Sequence, residues 1–385
     1  MATSPTEHHH FEKSDKRLTR RDFLRVGAGC VGTAALLPLV QACAGKEAME
    51  SGAGYVSTPT PLRPTVAETP GSLPSPSPMP TATTERDTNL ARIVVVKTED
   101  RRAGVQKAID LLGVSPVRGK QVMLKPNFNT ADPAPGSTHN DTLRSLVLKL
   151  RELGAGKITV AERSGPPDTR QVMEQKGIFA LAQELDFGVI NLQDSGKDDW
   201  VIVRPPDSHW RNGFLFARPY RDAECIVVTC CLKTHGYGGH FTMSLKSAVG
   251  MVPRTGYGYM TELHGSPDQR KMIAEINTAF TPDLIVMDGV DAFVSGGPDK
   301  GQRVRAGVIL AGSDRVAMDA VGVAILRHFG TTPEVSRGPI FQQEQIARAV
   351  ELGLGVDSPQ KISLVTGDDD SRAFAENIPA ILLRG

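Results

Sequence analysis

Cysteine is scarce in this chain. Of 385 residues only Cys30, Cys43, Cys225, Cys230 and Cys231 carry thiols, and no two are spaced as Cys-x-x-Cys. Neither a zinc ribbon nor a ferredoxin-type cluster is therefore written in the sequence. Aromatic residues make up 5% and the formal net charge is +1, so there is no basic excess to recruit nucleic acid and no acidic tail. After residue 45 no apolar run approaches the roughly 20 residues that span a bilayer.

What is present begins with an address. Residues 16–25 read Lys-Arg-Leu-Thr-Arg-Arg-Asp-Phe-Leu-Arg, and the Arg20-Arg21 pair followed by Phe23-Leu24 resembles a twin-arginine export signal. The short Gly- and Ala-rich segment Val26 to Val40 reads as its h-region rather than as a transmembrane anchor. Leu39-Val40-Gln41-Ala42-Cys43 resembles a lipoprotein cleavage box, with Cys43 as the lipidated residue; ordinary cleavage after a nearby alanine is the alternative. Pro59, Pro61, Pro64, Pro70, Pro74, Pro76, Pro78 and Pro80 alternate with Ser and Thr, a composition too poor in apolar surface to offset its ordering entropy. The expected organisation is a signal over 1–43, a disordered Pro/Ser/Thr-rich linker over 44–90, and an α/β domain over 91–385. The implied partners are the twin-arginine translocase and a membrane reached through the lipid. The implied location is extracytoplasmic, in the periplasm or on the outer face of the cytoplasmic membrane.

From residue 91 the pattern changes. Ile93–Val96 is a short, continuously apolar run of the kind buried on both sheet faces, and Cys225–Thr229 and Leu284–Met287 read as further buried strands. Gln121–Lys125, Lys157–Ala161, Gly188–Ile190, Val308–Leu310 and Ile362–Val365 read as the remaining strands. Helical patterns over Val105–Leu112, Thr142–Leu153 and Ala317–Leu326 separate some of them, with Gly154 as a C-cap and Asn140 or Asp141 as an N-cap. Trp200–Val203 and Phe214–Ala217 read as a lateral pair. Alternating strands and helices predict a mostly parallel sheet flanked by helices, in one lobe or two. Cys225, Cys230 and Cys231 fit core packing better than a disulfide, because one straight strand holds them too far apart.

Ligands of parallel sheets bind at the carboxyl ends of strands, which directs attention to the residues there. Lys125 and Asn127 follow one strand; Glu162-Arg163-Ser164-Gly165 follows another. After Cys225–Thr229 come Lys233 and His235, the glycine loop with Gly238 and Gly239, His240, and a helix carrying Lys246. Lys233, His235 and Lys246 are candidates to hold a phosphate or carboxylate, with the glycines allowing close backbone approach and the helix N-terminus favouring an anion. The spacing of a P-loop is missing. His235 and His240 form a weaker candidate metal pair. Asp288 closes Leu284–Met287 ahead of a glycine-rich loop, as a ligand for a divalent metal or a polar group, or as a turn residue. Asp319 lies inside an Ala/Val/Met-rich helix and needs a partner if buried; Lys125, Lys233 and Lys246 are the candidates.

Taken in order, Val122–Phe128, Leu232–His235 with Leu245–Pro253, Asp283–Gly289, Gly297-Pro298 with Gly301, and Ser313–Ala320 resemble successive blocks of the domain-of-unknown-function 362 family. The resemblance runs from about residue 92 to 384 and implies a prokaryotic α/β protein without naming a reaction. Some relatives carry a module with two iron–sulfur clusters; this chain lacks its cysteines. It also has Ser247 after the lysine, where the family pattern leads us to expect Asn. Two readings follow. One is an enzyme acting on a small anionic substrate through Lys233, His235, Lys246 and Asp288, with Lys125, Asn127, Gly238, Gly239 and Asp319 around the ligand. The other is a non-catalytic receptor for a solute or cofactor.

Overall fold

A computed structural model describes residues 90–384. The expectations for the signal, the Cys43 box and all but the end of the linker lie outside the described residues. Twelve strands are present: β1 (Ala91–Lys97), β2 (Val122–Lys125), β3 (Ile158–Glu162), β4 (Gly188–Asn191), β5 (Trp200–Val203), β6 (Phe214–Ala217), β7 (Cys225–His235), β8 (His240–Thr242), β9 (Leu284–Gly296), β10 (Gly301–Val304), β11 (Val308–Gly312) and β12 (Ile362–Val365). Ten build one sheet whose main path runs β12-β1-β11-β9-β7-β2-β3-β4, with β10 paired to β9 and β8 to β7. Along that path only β11 runs antiparallel to its neighbours. The β5–β6 pair stands apart as a two-stranded antiparallel sheet.

The continuous apolar runs follow from burial on both faces. In β1, Ile93 and Val95 enter one core while Val94 and Val96 enter the other. The same alternation divides Ile285 and Met287 from Leu284 and Val286 in β9. Because side chains alternate with a period of two, a strand between helix layers must be apolar at every position. Helices Arg101–Leu112 and Asn140–Glu152 cover one face, and Arg315–His328 covers the other. Among the described residues no helix is long and apolar enough to cross a membrane.

Two local expectations are corrected. The N-cap of Asn140–Glu152 is His139, whose Nδ1 accepts from the Asp141 amide at 3.0 Å, rather than Asn140 or Asp141. More consequentially, β7 and β9 continue past their apolar runs, to His235 and Gly296. The hairpin partner β8 pairs Lys233 with Thr242, and β10 pairs with the end of β9, so polar residues remain in the ladder. The three cysteines of β7 are free and buried, as strand geometry requires.

Candidate functional site: a cationic cleft at the strand ends

At the carboxyl ends of β2, β3 and β7 lies a small cleft with a volume of about 60 Å³. The charged groups lining it are Lys125, Glu162, Arg163, Lys233 and Lys246, four cations to one carboxylate.

The carboxylate is committed. Since β2 and β3 are parallel neighbours, their last residues lie side by side, and Lys125 Nζ sits 2.8 Å from both oxygens of Glu162. Those oxygens also accept the amides of Phe128 at 2.9 Å and Arg163 at 2.8 Å. Burial lowers the Lys125 pKa, with the attraction of Glu162 opposing it. Gly250 packs against this pair so closely that a Cβ there would stand 2.5 Å from Glu162 Oε1 and 2.8 Å from Lys125 Nζ. A side chain here would have to displace the ends of both.

The remaining cations are held by neutral groups or by none. Lys233 Nζ donates to the carbonyls of Gly136 at 2.6 Å and Pro298 at 2.9 Å, and burial pushes its pKa down to about 8. Arg163 donates to the carbonyls of Val252, Ser164 and Val249, and burial takes it to about 10. Lys246 is 8% exposed and, among the described residues, has no hydrogen-bond or ion-pair partner. Burial, reinforced by the neighbouring charges of Lys233 and Arg163, lowers its pKa to about 7. His235 is pushed well below its ordinary value by burial and by Lys246, Lys233 and His264. Its Nδ1 accepts the Tyr237 amide at 3.3 Å, which leaves Nε2 to carry the proton of the neutral ring. Thr242 Oγ1, on the cleft wall opposite Lys233 in the β7–β8 ladder, is buried without a partner.

Of the residues singled out from sequence, Lys125, Asn127, Lys233, His235 and Lys246 line the cleft. Gly239 supports it: a Cβ there would lie 2.8 Å from His235 Nδ1 and 3.1 Å from Lys246 Cε, so both side chains close on one point. Gly238 faces away, its carbonyl accepting from Arg270 at 2.7 Å.

The two aspartates are elsewhere. Because β9 runs on, Asp288 is internal to the strand; its Oδ2 accepts Arg101 Nε at 2.8 Å and Thr142 Oγ1 at 2.7 Å. Asp319 pairs with no lysine. It accepts the amides of Ser244 at 2.8 Å and Leu245 at 3.2 Å and the Ser244 hydroxyl at 2.7 Å, and so anchors the short helix Ser244–Ser247 that presents Lys246. Burial raises its pKa to about 7 against those donors. The first amides of that helix are thus used internally, and the expectation that they face an anion is corrected.

His235 and His240 stand opposite each other across the β7–β8 hairpin, but their charged neighbours differ. His240 lies among Arg270, Glu344 and Glu334, and His235 among Lys246, Lys233 and His264. Among the described residues no group of three or more His, Cys, Asp or Glu is placed to hold a metal ion. Sequence reasoning named Glu162 and Arg163 at a strand end without giving them a role, and it missed Thr242. The strand-end rule pointed at the first two, and only the β2–β3 adjacency shows what they do.

The family profile for the domain of unknown function DUF362 matches residues 122–324, more than half of the chain and every residue of the cleft wall named above. The chain belongs to the DUF362 family. A thylakoid-associated protein of Synechocystis sp. is 27% identical over 214 residues, covering 54% of this chain and 64% of that protein, so the match spans less than two thirds of the relative. Among solved structures, the lactate racemase apoprotein from Thermoanaerobacterium thermosaccharolyticum is 13% identical with a TM-score of 0.40, over 63% of this chain and 59% of that one. That likeness is too distant to transfer a residue. For this DUF362 protein the site has to be read from its own side chains.

Proposed function

We propose that this protein is an enzyme that binds a small anionic substrate in the strand-end cleft and moves a proton there with Lys246 and His235. The observation that carries the reading is the charge imbalance. Buried cations are normally matched by carboxylates, and an unmatched one costs several kcal/mol of desolvation. A phosphate or carboxylate would supply the missing counter-charge to Lys246, Lys233 and Arg163. A neutral imidazole beside an amine whose pKa lies near neutrality is suited to general acid–base work. The proposal further holds that Arg20 and Arg21 route the chain through the twin-arginine translocase and that Cys43 anchors it by lipid outside the cytoplasm.

Titration calorimetry with inorganic phosphate and with acetate tests the cleft. Binding should be accompanied by proton uptake near pH 8, because an anion raises the lowered lysine pKa values. Lys246→Met should weaken it by about 100-fold, in line with the 2–5 kcal/mol lost when a buried charge contact is truncated. Equal affinity in the wild type and Lys246→Met would sink the reading. Fractionation of the native host tests the address: wild-type protein should pellet with membranes, and Arg20→Lys/Arg21→Lys protein should stay in the cytosol.

A further inference from the structure

The anion-binding reading leaves one feature over. A site that needs only positive charge is served by Lys233 and Arg163, each steadied by carbonyls. Lys246 is different. It is 8% exposed, it enters the same cleft, no acceptor fixes its Nζ among the described residues, and its helix is pinned by Asp319 so that the side chain is presented in one place. An amine that must attack needs a free lone pair and open space at nitrogen, and Lys246 is the cleft lysine whose Nζ no acceptor holds among the described residues.

We propose that Lys246 is a covalent nucleophile that forms an imine with the carbonyl carbon of a small oxo acid, whose carboxylate is held by Lys233 and Thr242. This rests on the cleft being an anion site and names its substrate class. Lys233 spends two of its three N–H bonds on Gly136 and Pro298, leaving one, and the hydroxyl of Thr242 opposite it is buried and unpartnered. Together they offer two donors to a carboxylate beside the amine.

The step balances without any further reagent. The Lys246 nitrogen lone pair forms the C–N bond as the carbonyl π bond breaks onto oxygen. The two N–H protons lost from nitrogen end on that oxygen, which leaves as water when the C–O bond breaks. Amine plus carbonyl compound gives imine plus one water, with no change in oxidation level. The imidazole of His235 and the Cε of Lys246 both lie against Gly239, so the ring forms part of the wall beside the amine. Burial, reinforced by the charges of Lys233 and Arg163, leaves a large fraction of the amine unprotonated near neutrality, whereas an exposed lysine of pKa about 10.4 holds fewer than roughly one free amine in a thousand at pH 7.

The test is reductive trapping on the full chain. Protein is incubated with pyruvate at pH 7, with and without borohydride, and digested for peptide mass analysis. The expected result is a single reduced adduct on Lys246, formed about 100-fold faster than on any exposed lysine, as the difference in free amine allows. Phosphate should compete with it, and Lys246→Arg, which keeps the charge, should abolish it. Slow adducts scattered over surface lysines, with Lys246 not favoured, would overturn the imine. If phosphate nonetheless binds calorimetrically, the anion cleft survives that failure; if neither occurs, both readings fall. Thr242→Val provides the second handle: it should raise the pyruvate concentration needed for half-maximal trapping about tenfold while leaving the trapping rate at saturation unchanged, as loss of one hydrogen bond to a charged group implies. An unchanged half-saturation would remove Thr242 from the carboxylate site.

Discussion

Two groups of buried charges meet different fates in this molecule. Beneath helix Arg101–Leu112, Arg101 donates to Asp288 and Asp291 at 2.8 Å each, Thr142 completes one carboxylate and the Val290 amide, at 3.1 Å, the other oxygen of Asp288. Burial there works against the arginine's charge, and the two carboxylates outweigh it and raise its pKa. At the strand ends the same burial acts on Lys246 with only further cations nearby, and its pKa falls to about 7. Burial alone thus says nothing about function. The difference lies in whether the fold supplies the counter-charge: it does so for Arg101, and among the described residues it supplies none to Lys246.

The comparison is broken most severely by unpairing the matched network. Arg101→Met leaves Asp288 and Asp291 buried without their main partner, and unfolding free energy should fall by about 3–5 kcal/mol. Urea denaturation of the purified protein measures it. A loss below that of an ordinary surface substitution would mean that the network is not structural. Phosphate affinity of the surviving folded fraction should be unchanged, because Arg101 does not line the cleft.

A smaller effect is expected at the one ion pair that belongs to both worlds. Lys125 and Glu162 are matched like Arg101 and Asp288, yet they form the cleft floor. Gly250→Ala pushes a methyl group against both, which should cost about 1–3 kcal/mol of stability as overpacking does. It should also weaken phosphate binding, since the displaced ends of Lys125 and Glu162 move into the cleft. Calorimetry and denaturation of the same preparation separate the two consequences; a stability loss with intact affinity would place the pair outside the binding surface.

These distinctions were only partly legible in the sequence. Apolar runs such as Ile93–Val96 identify strands buried on both faces, because an amphipathic alternative would show polar residues at every second position; Ile362–Val365, with Ser363 inside it, is instead the half-buried edge strand β12. Lys125, Lys233 and Lys246 stand out because lysines next to such runs must find either solvent or an anion. The strand lengths did not stand out. Nothing local marks Asp288 as internal to β9 or Lys233 as still paired, since the continuation depends on β8 and β10 folding back onto those strands. The same non-locality hid Glu162: its partner Lys125 is distant in the chain and adjacent only in the sheet. Asp319 was recognised as needing a partner, but backbone amides that satisfy a carboxylate leave no trace in residue types.

The finest test of the contrast is the pH dependence of stability, compared between wild type and Lys246→Met. Lys246 is lowered to about 7 in the folded protein, from an ordinary value of 10.5 that the unfolded chain retains. Between these values the unfolded state holds a proton that the folded state has released, so stability rises with pH across that window and the contribution is lost as pH falls through about 7. The slope is about 1 kcal/mol per pH unit for one group. Lys246→Met removes this limb, so the mutant should be the more stable protein at pH 6, and its advantage should shrink as pH rises from 7 toward 10. Asp319 has the opposite sign. Its pKa is raised to about 7, so its contribution is complete below the ordinary value of 3.8 and disappears as pH climbs through 7. Asp319→Asn should therefore flatten the limb between pH 4 and 7 and leave the alkaline limb in place. Arg101→Met should leave the alkaline limb in place, because the guanidinium stays protonated throughout. Saturating phosphate should flatten the alkaline limb more in the wild type than in Lys246→Met, where Lys233, lowered to about 8, still contributes. That outcome would show that the missing counter-charge is the one a ligand brings.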